Sequence, residues 1–298
     1  MIRMIPDFFI VGAPKCGTTA LYTYLRAHPE IFMPDNKEPE YFCPDLYGAF
    51  SIRSKEQYLS LFLKSTEKKR KGEATPIYLY SMVAFKKIKD FNPKADIIIM
   101  LRNPIDAMYS QYYQMCYSGD EDIKSFEEAI NAEKMRKAGL HVPRTLRRSI
   151  KLLYYKEIYK YTSQIKRYFD LFGREKVHII IYDDFKEDTS SEYRRTLSFL
   201  GVDDTIKLDF KVINPNKILR FPTLKRIMLD PIIRKIGRNL VPLQIRQAIK
   251  EYIKKTNTRY TSRPPMNPET RQRLKREFAR EIEELSKLLG RDLTHWLK

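Results

Sequence analysis

Cysteine is scarce: the 298 residues contain three, Cys16, Cys43 and Cys116. Three thiols cannot close a disulfide framework, and none has the spacing of a metal-ligand pair. The chain also lacks an apolar run as long as a membrane span, a periodic self-similarity and a low-complexity tract. These absences argue against a spanning helix, a repeat array and extended disorder. The first strand starts by Ile5 or Pro6, which leaves no room for a leader ahead of it and predicts a soluble, cytoplasmic chain. Of the four histidines, His28 and His141 read as helix-end and loop residues without an orienting partner, so histidine-centred catalysis is not expected. The length suits one large α/β domain, with two smaller ones open on length alone.

What is abundant is basic charge. The formal net charge is +19. Residues 134–176 hold 13 Lys/Arg against 3 Asp/Glu, and residues 206–263 hold 15 against 3, so the remainder sums to −3. Such localisation points to an anionic partner: an acidic substrate, an anionic membrane surface or nucleic acid. The competing reading is a set of solvated helix faces.

The stretch from Asp7 to Leu25, DFFIVGAPKCGTTALYTYL, carries the first chemical signal. Asp7 to Val11 reads as a buried strand, Gly12 to Thr19 as a glycine turn, and Ala20 to Leu25 has helical spacing of apolar residues. Strand, loop and helix start together make an anion site, because first-turn N–H groups lack internal partners and the helix dipole adds partial positive charge. Gly12 and Gly17 match the first part of the nucleotide loop G-x-x-x-x-G-K-[ST], but Thr18 stands where its lysine belongs and the lysine is at Lys15. The alternative is a tight turn with a solvated lysine.

A second construction follows the strongest strand pattern, Ala95 to Leu101, whose unbroken apolar run fits a parallel strand covered on both faces. Arg102 ends it; Asn103 as N-cap and Pro104 as first helical residue start a helix to Tyr117. Ser110 lies about two turns into that helix, on the face carrying the cap. Arg102 is a fork donor for an oxyanion and Ser110 adds a hydroxyl. A nucleotide hydrolase or kinase would place an acidic magnesium ligand after such a strand. Between the two constructions, Pro34 and Pro39 put Lys37, Glu38 and Glu40 on an irregular segment, where a carboxylate can accept a proton.

The sequences PKCGTTAL at 14–21, KEPEYF at 37–42, GEATPIYL at 72–79 and LRNPIDAMYSQY at 101–112 closely resemble the sulfotransferases that use 3′-phosphoadenosine 5′-phosphosulfate (PAPS). Residues 264–297 resemble the usual ending of their bacterial and glycan-modifying branch. The resemblance implies a P-loop-like three-layer α/β/α domain with a central parallel sheet, spanning 1–298 as one sulfotransferase domain, with the basic helical segment 221–263 inside it. It implies that Lys15, Cys16, Gly17, Thr18 and Thr19 hold the 5′-phosphosulfate and that Arg102 and Ser110 hold the 3′-phosphate. Lys15 would neutralise the leaving phosphate oxygen, and Glu38 would be the general base, with Glu40 its competitor two residues away. Residues 211–226 resemble the loop that closes over the nucleotide, with Lys217 and Arg220 as phosphate contacts. In the heparan-type enzymes a lysine stands at the position of Ala74, so this chain departs from them on the acceptor side.

The expected activity is therefore sulfonyl transfer from PAPS to a hydroxyl or amine of a carbohydrate, glycolipid or other small molecule. Adenosine 3′,5′-bisphosphate (PAP) is the expected product, and no metal is required. The acceptor is expected to be anionic or membrane-associated, with the protein peripheral at the inner membrane surface. A P-loop nucleotide kinase and a non-enzymatic nucleic-acid-binding protein are the alternatives; nucleic acid explains the charge but not two phosphate constructions. For the rest, the periodicity predicts helices at 54–64, 81–91, 149–172 and 190–200, a strand at 177–182, and basic amphipathic helices over 223–255 broken at Pro231 and Pro242. Packing on the sheet competes with docking on an anionic membrane for that last segment.

Overall fold

The computed structural model describes residues 5–206, 208–210, 217–221, 230, 233 and 242–298. Five strands form one sheet in the order β2-β3-β1-β4-β5: β1 (Phe8–Gly12), β2 (Ile31–Phe32), β3 (Arg70–Ala74), β4 (Asp96–Leu101) and β5 (Val177–Ile181). All four pairings are parallel. Phe8 to Val11 and Ile97 to Leu101 are fully buried, as a strand covered on both faces must be. From β1 the chain runs to the edge strand β2, returns inward to β3 between them, then crosses to β4 and β5 on the other side. The carboxyl ends of β1 and β4 therefore flank the point where strand order reverses, the usual ligand crevice of an open α/β sheet.

Helices α1 (Thr18–Ala27), α2 (Lys55–Ser60), α3 (Ala84–Phe91), α4 (Pro104–Ser118), α5 (Phe126–Asn131) and α6 (Glu133–Lys137) follow in the first half. The expected helix over 149–172 is instead a 3₁₀ turn at Ile150–Leu153, a short α7 (Tyr155–Ile158) and α8 (Tyr161–Phe172). The break has a physical reason. Tyr159 and Tyr161 are both fully buried, and in one continuous helix residues two apart face opposite sides. Interrupted, the chain turns both rings inward: Tyr159 donates to the Pro14 carbonyl at 3.3 Å and Tyr161 to the Arg102 carbonyl at 3.2 Å. The two candidate phosphate turns are thus pinned by two tyrosines from one kink.

Strand β5 ends one residue earlier than its pattern suggests, because Tyr182 already starts α9 (Tyr182–Glu187); α10 (Thr189–Leu200) follows. Further on, β6 (Lys217–Leu219) pairs antiparallel with β7 (Thr258–Tyr260), which follows α11 (Leu243–Asn257). The long α12 (Pro268–Leu289) packs its buried Leu274, Phe278, Ile282 and Leu285 inward. Its first turn and the 3₁₀ turn beyond it (Thr294–Leu297) both meet the start of α4: Arg271 pairs with Asp106 at 2.7 Å, and Asn103 Nδ2 donates to the Trp296 carbonyl at 2.9 Å. Among the described residues no helix is long and apolar enough to cross a membrane.

Candidate active site

At the carboxyl ends of β1 and β4 lies a cleft of about 670 Å³. One wall is the turn into α1. Gly17 precedes that helix with φ 93°, a left-handed conformation that favours glycine. The helix has no side-chain cap and no acidic residue in its first turn, so nothing in its own sequence neutralises the positive end. Thr18 and Thr19 line the cleft there together with Lys15. The Cys16 side chain points into protein: it is fully buried, its Sγ donates to the Pro14 carbonyl at 3.4 Å, and its N–H donates to Ala13 O at 3.3 Å. Burial pushes its thiol up to about 11. Of the five loop residues, Cys16 is a packing residue, and the cleft is met by the other four.

Lys15 carries a positive φ of 64° and donates from Nζ to Gln114 Oε1 on α4 at 3.3 Å. Burial, together with the nearby cations Arg263, Lys37 and Arg102, outweighs the opposing pull of Glu38 and lowers its ammonium to about 8. A half-buried lysine among like charges favours an anion beside it. The second wall is the start of α4, where Asn103 Oδ1 accepts from Ile105 N–H at 3.0 Å and so caps the helix as the sequence suggests. Arg102 lies over the Tyr182 ring, 4.9 Å from its centroid, and Ser110, 2% exposed, faces the same cleft.

Arg263 is the cation that sequence reading missed. It lines the cleft, and burial followed by repulsion from Arg102 lowers its basicity. Its Nε is buried without a hydrogen-bond partner in the protein. The only signal was its position beside Pro264 and Pro265, immediately ahead of the matched C-terminal segment. Of the other phosphate candidates, Arg220 is exposed, is held through its backbone to Asn257, and is not among the described residues lining the cleft. Lys217 is described only as the first residue of β6. Residues 211–216 and 222–226 of the expected closing loop lie outside the described residues.

Glu38 and Glu40 sit across from Lys15, on the segment between β2 and α2, and both line the cleft. Glu38 has φ 60° and Glu40 φ 55°; with Lys15 they are three of the four non-glycine residues at positive φ among the described residues. Such backbone costs about 1–3 kcal/mol per residue and collects at functional sites. The two carboxylates differ. Glu40 is 6% exposed, accepts from Ser51 Oγ at 2.6 Å and from Arg148 Nη1 at 3.2 Å, and burial raises its carboxyl despite those partners. The Glu38 side chain is 38% exposed, its backbone N–H is anchored on Ala74 O at 3.1 Å, and its Oε1 pairs with Lys37. Burial pushes its carboxyl up, but Lys37, Arg148 and Lys15 outweigh that and hold it below the usual carboxylate range. Glu38 is therefore the more exposed and more acidic carboxylate, and Glu40 the buried one held by Ser51 and Arg148.

His28 is buried and bonded to Asp203 O at 2.8 Å, and His141 is exposed at φ 51°; neither lines the cleft. Among the described residues no group of three or more His, Cys, Asp or Glu is placed to hold a metal ion.

The family described as "Sulfotransferase domain" matches residues 5–227. The fold is similar to the crystal structure of a sulfotransferase from Alicyclobacillus acidocaldarius, with TM-score 0.74 and 28% identity over 99% of each chain. Among curated proteins, carbohydrate sulfotransferase 15 of Mus musculus is 29% identical over 171 residues, 43% of this chain and 30% of that protein. Heparan sulfate glucosamine 3-O-sulfotransferase 3A1 of Mus musculus is 26% identical over 224 residues, 75% of this chain and 52% of that protein. The chain thus covers from about a third to about half the length of these two relatives.

Proposed function

Because this chain belongs to the sulfotransferase family, we propose that its cleft transfers a sulfonyl group from PAPS to a hydroxyl of a carbohydrate or similar acceptor. The observation that carries the reading is one cleft with two separate anion cradles. The first is the uncapped start of α1 with Lys15, and the second is Arg102 in the turn after β4 and Ser110 on α4, with Arg263 beside them. A donor with two phosphate positions needs both; a simple nucleoside monophosphate needs one. The unpaired Nε of Arg263 and the depressed ammonium of Lys15 are the donor set such a polyanion fits. Tyr24, Tyr182 and Phe210 line the same cleft and offer apolar surface for a nucleoside.

PAPS, when bound, supplies the sulfonyl group and a bisphosphate leaving group. The protein's part is positioning and charge. Glu38 takes the proton of the acceptor hydroxyl as its oxygen bonds to sulfur, and Lys15 offsets charge on the phosphate oxygen released. Gln114, through its bond to Lys15, fixes where that charge sits. Arg102, Ser110 and Arg263 hold the far phosphate and leave the chemistry alone. No step in this scheme calls for a metal. The nucleotide-kinase and nucleic-acid readings gain no support from the relatives found. The reading extends to the partner and its location: an acceptor that is anionic or borne on a surface, met in the cytoplasm at the membrane, which the two basic blocks favour.

Calorimetry with adenosine 3′,5′-bisphosphate against AMP tests the donor. Loss of the 3′-phosphate contacts should cost on the order of 2–3 kcal/mol, the range for charge-assisted hydrogen bonds. Equal affinities would remove the 3′-phosphate assignment. Incubation of the protein with labelled PAPS and a panel of carbohydrate, lipid and small-molecule acceptors identifies what is sulfonated.

A further inference from the structure

Helix α11 carries apolar side chains on a face the described protein leaves open. Ile245, Ile249 and Tyr252 are 52%, 45% and 70% exposed. They follow one another at i, i+4 and i+7, so at 100° per residue they fall within about 60° of arc. By the same spacing, Arg246 falls on one flank of that stripe. At the end of the helix, Asn257 accepts from the N–H of Phe221 at 2.6 Å and donates back to its carbonyl at 3.0 Å, which clamps the exposed Phe221 beside the last turn. Strand β7 follows at once and ends in Tyr260, also exposed. An apolar stripe with a basic flank and aromatic residues at one end is the pattern of a helix lying in a membrane interface.

Charge selects the occupant. The stripe sits inside residues 206–263, with 15 Lys/Arg against 3 Asp/Glu. A second copy laid on it would bring an equal positive block face to face, whereas an anionic headgroup layer neutralises it. The placement also has a use. Thr258 Oγ1 is 2.9 Å from Tyr117 Oη on α4, and Arg263, three residues after Tyr260, lines the cleft. The exposed face and the cleft therefore share one short stretch of chain.

We propose that α11, with Phe221 and Tyr260 at its end, docks the protein on an anionic lipid surface and so brings the cleft to an acceptor carried there. The docking is independent of the chemistry; only its purpose rests on the transfer reading. The test is flotation of the full chain with vesicles of phosphatidylcholine mixed with phosphatidylglycerol, against vesicles of phosphatidylcholine alone. The expected result is binding to the mixed vesicles only, weakened at least tenfold in the double variant Ile249→Asp, Tyr252→Asp. Circular dichroism and bisphosphate affinity of the variant should match the parent, since both side chains are exposed and neither lines the cleft. No flotation of the parent at low salt overturns the proposal, as does flotation that the double variant leaves unchanged. Sedimentation showing a dimer that the same variant abolishes would assign the stripe to a second copy instead. None of these results touches bisphosphate binding, so failure here and failure of the transferase reading remain separable.

Discussion

The two ends of the cleft are built from different materials. The end proposed for the donor consists of strand ends and helix starts: β1 into α1, β4 into α4, with the first turn held on β4 by Ala13 N–H to Met100 O at 2.7 Å and both turns held from the kink before α8 by the two buried tyrosines. The end proposed for the acceptor consists of irregular chain. Its carboxylates lie between β2 and α2, and they are braced from residues far away: Glu40 by Ser51 and Arg148, with Ala49 N–H on Arg147 O at 2.7 Å and Arg147 N–H on the buried Asp120 at 3.0 Å. Regular elements fix an anion site through backbone geometry alone, whereas the irregular end depends on a chain of polar contacts. The donor end is therefore suited to a constant ligand and the acceptor end to change.

The largest effects should come from breaking the chemistry at each end separately. Glu38→Gln should lower turnover by about 10²–10⁴, the range for a general base, while bisphosphate affinity stays near that of the parent. Glu40→Gln should cost far less, because Glu40 is locked to Ser51 and Arg148 and holds the segment rather than the proton. A dead Glu40 variant beside a near-normal Glu38 variant would reverse the two roles. At the donor end, Lys15→Ala should lower turnover by roughly 10²–10³, as for one lost oxyanion donor, with a smaller change in bisphosphate affinity. Equal losses in both quantities would make Lys15 a binding residue and not a group that acts as the leaving oxygen gains charge.

The contrast also explains what could be read from the sequence. β1, the glycine turn, β4 and the Asn103-Pro104 cap are local signals, since each depends on residues within one turn or strand. Lys15, Glu38, Arg102 and Ser110 were found through such signals and the family pattern, and the structure gathers them into one cleft. Arg263 was missed because it reaches the cleft across 161 residues of sequence from Arg102, with no local pattern to mark it. The kink at Tyr159 and Lys160 was missed for a similar reason. Its cause is the pair of carbonyl groups at Pro14 and Arg102 that the two tyrosines must reach, and helical periodicity carries no trace of those partners.

A smaller effect sharpens the comparison by separating the two ends in pH. Burial and the cations around it lower Lys15 to about 8, so in the free protein it is charged below that value and neutral above it. A bound anion favours the charged form, which means bisphosphate affinity is full below about pH 8 and declines as pH rises through it. The dissociation constant should therefore rise roughly tenfold between about pH 7.5 and 9, the decline expected for one group titrating near 8. At pH values just above 8, binding should take up a proton, seen in calorimetry as a heat that depends on the buffer. Glu38 moves the other way: its cations hold it below the usual carboxylate range, so turnover should persist into mild acid and fall only once that carboxylate is protonated. Lys15→Arg keeps a permanent charge, and its affinity should stay flat across the alkaline range. A parent as flat as that variant would show that Lys15 keeps an ordinary ammonium, and that the cluster of cations at the donor end is screened before any anion arrives.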